Sequence, residues 1–233
     1  MLKKLSRLHP GSSIPHILFY EAVRRSAHAA LILFFGLRAR NAKNVPAEGP
    51  ILIAANHESY LDPPAVSTVI THRHIDFLAR AGLFTSRAFA WLISSLNSIP
   101  VAEEGGDARA IREIIRRLEL GHAVLIFPEG SRSPDGRMQD FKRGVAVLVK
   151  RSNCPVIPVA IAGAYAAWSR DRASPRLFAS RIRLAFGTPI PHAELMRDGP
   201  DAALDRLAAE IRVLRATLDR PASRPADHPA PSR

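Results

Sequence analysis

Five short apolar runs, each six or seven residues long, recur along the chain at 50–55, 74–79, 122–127, 155–161 and 181–186. Runs of that length are too short for core helices and suit buried strands. Between and after them lie stretches with helical spacing. Residues 107–120 put Ala108, Ile111, Ile114, Ile115 and Leu118 on one side, with Asp107 as an N-cap and Gly121 as a stop. Residues 141–151 resume a helical pattern, and 201–218 form a last amphipathic helix around Leu204, Leu207, Ala208, Ile211 and Leu214. Strands alternating with helices predict an α/β domain whose sheet is mixed, partly parallel and flanked by helices.

The N-terminal region is different in character. Ile17, Phe19, Tyr20, Val23, Ala27, Leu31, Phe34 and Phe35 recur near helical spacing over 14–37, and that helix suits either a core or a bilayer surface. Its most apolar part, 26–37, falls short of the roughly 20 residues a spanning helix needs. Neither a transmembrane helix nor a secretory signal is expected. The chain carries 33 Lys and Arg against 21 Asp and Glu, a net charge of +12. Half of that excess lies in residues 1–50, with eight basic and two acidic side chains. Such a balance points to phosphate, nucleic acid or an anionic membrane as partner. The expected division is a basic and apolar helical segment at 1–40, one domain at 41–220, and a Pro- and Ala-rich disordered tail at 221–233. The lone Cys154 excludes an internal disulfide and reads as a small buried hydrophobe.

Chemistry concentrates where two of the apolar runs end. The run 50–55 leads into Asn56-His57-Glu58-Ser59-Tyr60-Leu61-Asp62, and Pro63-Pro64 then fix the backbone beside Asp62. If the intervening residues turn tightly, the Asp62 carboxylate reaches one ring nitrogen of His57 and leaves the other free to accept a proton from a hydroxyl. The alternative is that His57 packs in a turn and Asp62 caps a helix. The run 122–127 leads into Phe127-Pro128-Glu129-Gly130-Ser131-Arg132-Ser133. There Glu129 is an acceptor for hydroxyls and Arg132 a fork for phosphate. A base in one turn and anion binders in the other describe a site for group transfer.

In combination these segments resemble the glycerolipid acyltransferases of the 1-acylglycerol-3-phosphate acyltransferase type. N-H-E-S-Y-L-D matches that family's N-H-x-x-x-x-D, and F-P-E-G-S-R some 65 residues later matches its F-P-E-G-[ST]-R. Phe141-Lys142-Arg143-Gly144 and the strand Val156–Ile161 resemble the segments that follow in order. The resemblance implies that His57 is the base and Asp62 its partner, with Glu129, Gly130, Ser131 and Arg132 binding the acceptor. It implies an acyl group moved from acyl-CoA or acyl-carrier protein, as substrate, to the hydroxyl of 1-acylglycerol-3-phosphate, with no cofactor or metal. It also implies a monotopic protein on the cytoplasmic face of the cell membrane, meeting lysolipid and an anionic surface, with no nucleic acid as partner.

One segment departs from the family. Where it usually keeps a cation for the acceptor phosphate, this chain has Asn97-Ser98-Ile99-Pro100-Val101-Ala102-Glu103-Glu104. Like charge beside a phosphate opposes binding, so Glu103 and Glu104 suit an amine-bearing or neutral head, such as a lyso-ornithine lipid. A non-catalytic basic module for membrane or nucleic acid is the reading of a different class, but it leaves the two polar turns without a purpose. A serine hydrolase is disfavoured because there is no G-x-S-x-G elbow. The remaining histidines show no metal spacing, and His72 and His74 read as a surface or edge pair.

Overall fold

The computed structural model describes residues 11–80, 87, 96–101 and 108–219. Helix α1 (Ile14–Phe35) is followed by strand β1 (Arg38–Arg40), a 3-10 turn, and β2 (Ile51–Ala55). Then come α2 (Asp62–Val69), β3 (Ile75–Arg80), β4 (Ser98–Val101), α3 (Ala108–Glu119) and β5 (Ala123–Ile126). The chain continues through α4 (Gly144–Ser152), β6 (Val156–Ala162), α5 (Ala164–Trp168) and β7 (Arg183–Phe186). It closes with α6 (His192–Leu195) and α7 (Pro200–Asp219).

The seven strands form one sheet in the order β1-β7-β6-β2-β5-β3-β4. Strands β6, β2, β5, β3 and β4 are mutually parallel, whereas β7 runs antiparallel to β6 and carries β1 parallel to itself. The sheet is therefore mixed. All five expected strands are present within one or two residues of their apolar runs. Strands β2, β5 and β6 are buried at every residue, as parallel strands covered on both faces must be. Strand β1 was not expected, because Arg38-Ala39-Arg40 is exposed throughout and has no apolar signature. It exists because its backbone pairs with β7 at the sheet edge.

One face of the sheet packs under α1 and α2 around Leu31, Phe35, Ile53, Val66, Leu125 and Ile157. The other packs under α3, α4 and α7 around Leu52, Ile114, Val124, Leu148 and Leu207. Cys154 is buried in that second layer. Helix α1 serves the core with one side only. Ile17, Tyr20, Leu31 and Phe35 are buried, while Leu18, Ile32 and Leu33 face solvent. Among the described residues no helix is long and apolar enough to cross a membrane.

His74 corrects an expectation. It is not at the surface but buried, stacked on Tyr20 with ring centroids 3.8 Å apart and Nε2 3.3 Å from Glu21. The stack and the Glu21 contact offset the cost of burying the ring, and an isolated sequence pattern reveals neither.

Candidate active site

Parallel strands deliver their carboxyl ends to one edge of the sheet, where open α/β folds place ligands. Strand β2 ends at Ala55 and β5 at Ile126, and the two polar turns follow directly. Asn56 fastens the first turn. Its side-chain amide donates to the Ile161 carbonyl at 3.0 Å and its oxygen accepts from the Ile161 amide at 2.7 Å. This buried bridge continues the β2–β6 ladder beyond the last strand residue.

Asp62 is the first residue of α2. The two prolines after it lack the N–H groups that a helix start leaves unsatisfied. The carboxylate instead turns back, and Oδ2 accepts from the amides of Glu58 at 2.6 Å and Ser59 at 2.7 Å. The same oxygen lies 2.8 Å from Nδ1 of His57. Asp62 is wholly buried, whereas the His57 side chain retains 16% of its exposure. With Nδ1–H donated to the carboxylate, Nε2 is left as the acceptor. The imidazole is held from the side by Phe127, stacked at 3.9 Å with the planes 16° apart. Asp62 therefore opens the helix without capping it, Leu61 being the N-cap, and its carboxylate holds the histidine ring.

The second turn is locked onto the first. The His57 amide donates to Glu129 Oε1 at 2.8 Å, and the Ser133 amide donates to the His57 carbonyl at 2.8 Å. Glu129 Oε2 accepts from the Gln139 amide at 2.9 Å. Glu129 is only 1% exposed, so its carboxylate braces three chain segments and offers no open face to a hydroxyl. Burial pushes its pKa up to about 7, against the lowering pull of those two amides.

Gly130 adopts φ +71°, and the Lys142 side chain crosses it so closely that a Cβ there would meet Cγ at 3.0 Å. Lys142 is held in place by its amide, which donates to the Pro128 carbonyl at 2.8 Å. The F-K-R-G run therefore returns to the F-P-E-G turn. Arg132 lies with its guanidinium carbon 3.4 Å above the Tyr60 ring. One of its terminal nitrogens is buried without a hydrogen-bond partner among the described residues. Ser131 and Arg132, with Arg170 and Asp171, line a pocket of about 320 Å³. A spare N–H in a basic pocket fits an anionic oxygen.

Glu58 follows His57 in the first turn and is also buried. It accepts from the amides of Ala164 at 2.9 Å and Tyr165 at 3.3 Å, and pairs with Arg215 of α7 at 3.0 Å. Burial, with help from the nearby Asp62 charge, raises its pKa to about 7 despite Arg215. The sequence assigned no role to Asn56, Glu58, Tyr60, Phe127 or Arg215, and of these Asn56 and Phe127 carried a signal, as the first residues of the two matched motifs. Ser59 is buried and its hydroxyl donates to the Trp168 carbonyl, which leaves it no part as a nucleophile. Glu103 and Glu104 lie outside the described residues, as does Asp107.

The Acyltransferase family model matches residues 36–162, from the start of the sheet to the end of β6. The chain belongs to the Acyltransferase family. That match contains both polar turns and the Lys142 segment, whereas Arg170, Asp171 and Arg215 lie beyond it.

Among its relatives is the 1-acyl-sn-glycerol-3-phosphate acyltransferase of Bacillus subtilis, 24% identical over 86% of this chain and 98% of that one. The enzyme of the same name from Pseudomonas aeruginosa is 28% identical over 83% of this chain and 74% of its own length. A chloroplast 1-acyl-sn-glycerol-3-phosphate acyltransferase of Brassica napus is 24% identical over 64% of this chain, which spans 46% of that relative's length. The crystal structure of the 1-acyl-sn-glycerophosphate acyltransferase PlsC from Thermotoga maritima is similar in fold. Its TM-score is 0.74 at 24% identity, covering 88% of this chain and 81% of that one.

Proposed function

We propose that this member of the Acyltransferase family moves a fatty acyl group from acyl-CoA or acyl-carrier protein to the free hydroxyl of 1-acylglycerol-3-phosphate, giving phosphatidic acid. The observation that carries the reading is the His57–Asp62 pair, 2.8 Å apart, which orients an imidazole with Nε2 free. Nε2 takes the proton of the acceptor hydroxyl as its oxygen attacks the thioester carbonyl. Asp62 stabilises the imidazolium that forms. When the tetrahedral intermediate collapses, the carbon–sulfur bond breaks and the thiolate recovers a proton from the imidazolium. Transfer is direct and needs no cofactor.

Arg132 supplies the acceptor's phosphate with a charged N–H, its position fixed by Tyr60. Ser131 lines the same pocket, and Gly130 shapes the turn that carries it. Glu129 acts by holding the histidine loop against this turn. The names of the Bacillus subtilis and Pseudomonas aeruginosa relatives support the acceptor class. The protein works at the cytoplasmic face of the cell membrane, a placement supported by the basic N-terminal fifty residues and the exposed Leu18, Ile32 and Leu33 of α1.

The test is purified protein given labelled acyl-CoA or acyl-carrier protein with a panel of lysolipids. Phosphatidate from lysophosphatidate is the expected product. Faster turnover with an amine-bearing lysolipid would favour the second reading, which rests on Glu103 and Glu104 standing where the family usually has a cation. In that case Glu103→Arg should move the preference toward lysophosphatidate.

A further inference from the structure

Two exposed apolar segments meet beside the catalytic edge of the sheet. The last turn of α1 presents Ile32 and Leu33, and the loop before β7 presents Leu177 and Phe178. They are joined by backbone hydrogen bonds, Phe178 N–H to the Phe34 carbonyl and Ile182 N–H to the Phe35 carbonyl, each 2.9 Å. The Phe34 and Phe178 rings meet edge to face at 5.7 Å. Phe178 has φ +61°, a left-handed conformation that bulky side chains rarely adopt, and it is 71% exposed. A phenylalanine held in that conformation with its ring mostly in water contributes little to the core.

Four arginines lie next to this apolar tip. Arg38, Arg40, Arg181 and Arg183 line a cleft of about 410 Å³. Arg38 and Arg183 are register partners across β1 and β7, and Nε of Arg183 is buried without a hydrogen-bond partner among the described residues. The register of β6 and β7 sets Arg183 opposite Ala162, the carboxyl end of β6. That is the end of the sheet at which His57 follows β2.

We propose that Leu33, Leu177 and Phe178 form a wedge that enters an anionic phospholipid monolayer while the four-arginine cleft holds lipid phosphates at its surface. Apolar side chains beside arginines that bind phosphate match the acyl–headgroup boundary of a bilayer. Because wedge and cleft share the catalytic edge, the docked protein faces its site toward the membrane. The inference rests on the membrane placement proposed above and names the surface that makes it.

The test is sedimentation of the full chain with phosphatidylcholine vesicles, with and without phosphatidylglycerol. The informative variant is Phe178→Asn, because asparagine tolerates the left-handed conformation and so keeps the loop folded. It should bind vesicles at least about tenfold more weakly, as loss of one buried aromatic ring requires, with an undiminished melting temperature. The double variant Arg38→Gln with Arg40→Gln should lose about tenfold in affinity for phosphatidylglycerol vesicles and little for neutral ones. Turnover of a short-chain, water-soluble lysolipid should be unchanged in both, and its loss would overturn a docking role for these residues. Parent protein that ignores anionic vesicles would overturn the membrane placement itself. Parent protein that binds while Phe178→Asn binds equally would overturn the wedge and leave the placement standing. Arginine variants that lose oligonucleotide retention but keep vesicle binding would make the cleft a nucleic-acid site and overturn its lipid role.

Discussion

The main-chain N–H of His57 donates to Oε1 of Glu129 over 2.8 Å, tying the histidine's own backbone to the turn 72 residues further on. The other carboxylate oxygen holds the Gln139 amide. Glu129→Ala should strand both buried amides and lower stability by about 2 kcal/mol, read by urea unfolding. It should also reduce kcat more than it raises the acceptor KM, because the histidine loses its anchor. A rise in KM alone would make Glu129 a direct ligand instead of a brace.

The same carboxyl sets a pH dependence. Glu58 and Glu129 have pKa values near 7 in the fold, raised chiefly by burial from 4.5. The folded state therefore holds protons that the unfolded chain has released. Stability from these two groups is full below about pH 4.5 and is lost as pH rises through about 7. Unfolding measured across that window should show Glu129→Gln with a flatter pH dependence than the parent. An identical slope would mean that Glu129 is ionised throughout.

His57→Ala should lower turnover by at least about a hundredfold, the usual scale for loss of a general base. Asp62→Asn should also lower kcat strongly, since a neutral amide stabilises no imidazolium. A mild effect from His57→Ala in a folded protein would place the base elsewhere.

Arg132 has a buried N–H with no partner among the described residues, and its guanidinium rests on Tyr60. Arg132→Lys keeps the charge but loses the fork and the stacking geometry. The KM for a phosphate-bearing acceptor should rise about tenfold, the scale of one charge-assisted hydrogen bond. Tyr60→Leu should raise it less. Equal KM values in all three proteins would remove Arg132 from the acceptor site.

Arg215→Met should be among the more damaging changes outside the turns. It leaves the Glu58 carboxyl buried without its cation, and Glu58 also holds the start of α5. A loss of about 3 kcal/mol is expected, and the double variant with Glu58→Gln should recover part of it. Equal destabilisation in the single and double variants would show that the pair is not coupled.

The periodicity of the chain by itself determined its α/β class and the position of five strands, because burial on both faces leaves an uninterrupted apolar run. The order of residues also offered the His57–Asp62 pairing as a possibility, since Pro63 and Pro64 fix the backbone beside Asp62. Sequence left Glu129 as a hydroxyl acceptor, and only the tertiary structure turned it inward, where amides from distant segments claim both oxygens. Strand β1 was equally illegible, being three exposed residues whose partner lies at 183–185. The pairing of Glu58 with Arg215 spans 157 residues, a separation at which no local pattern signals a contact. Local spacing encodes which face of a strand or helix is apolar. Which polar groups meet at the end of a sheet depends on strand order, and that is decided only when the whole core packs.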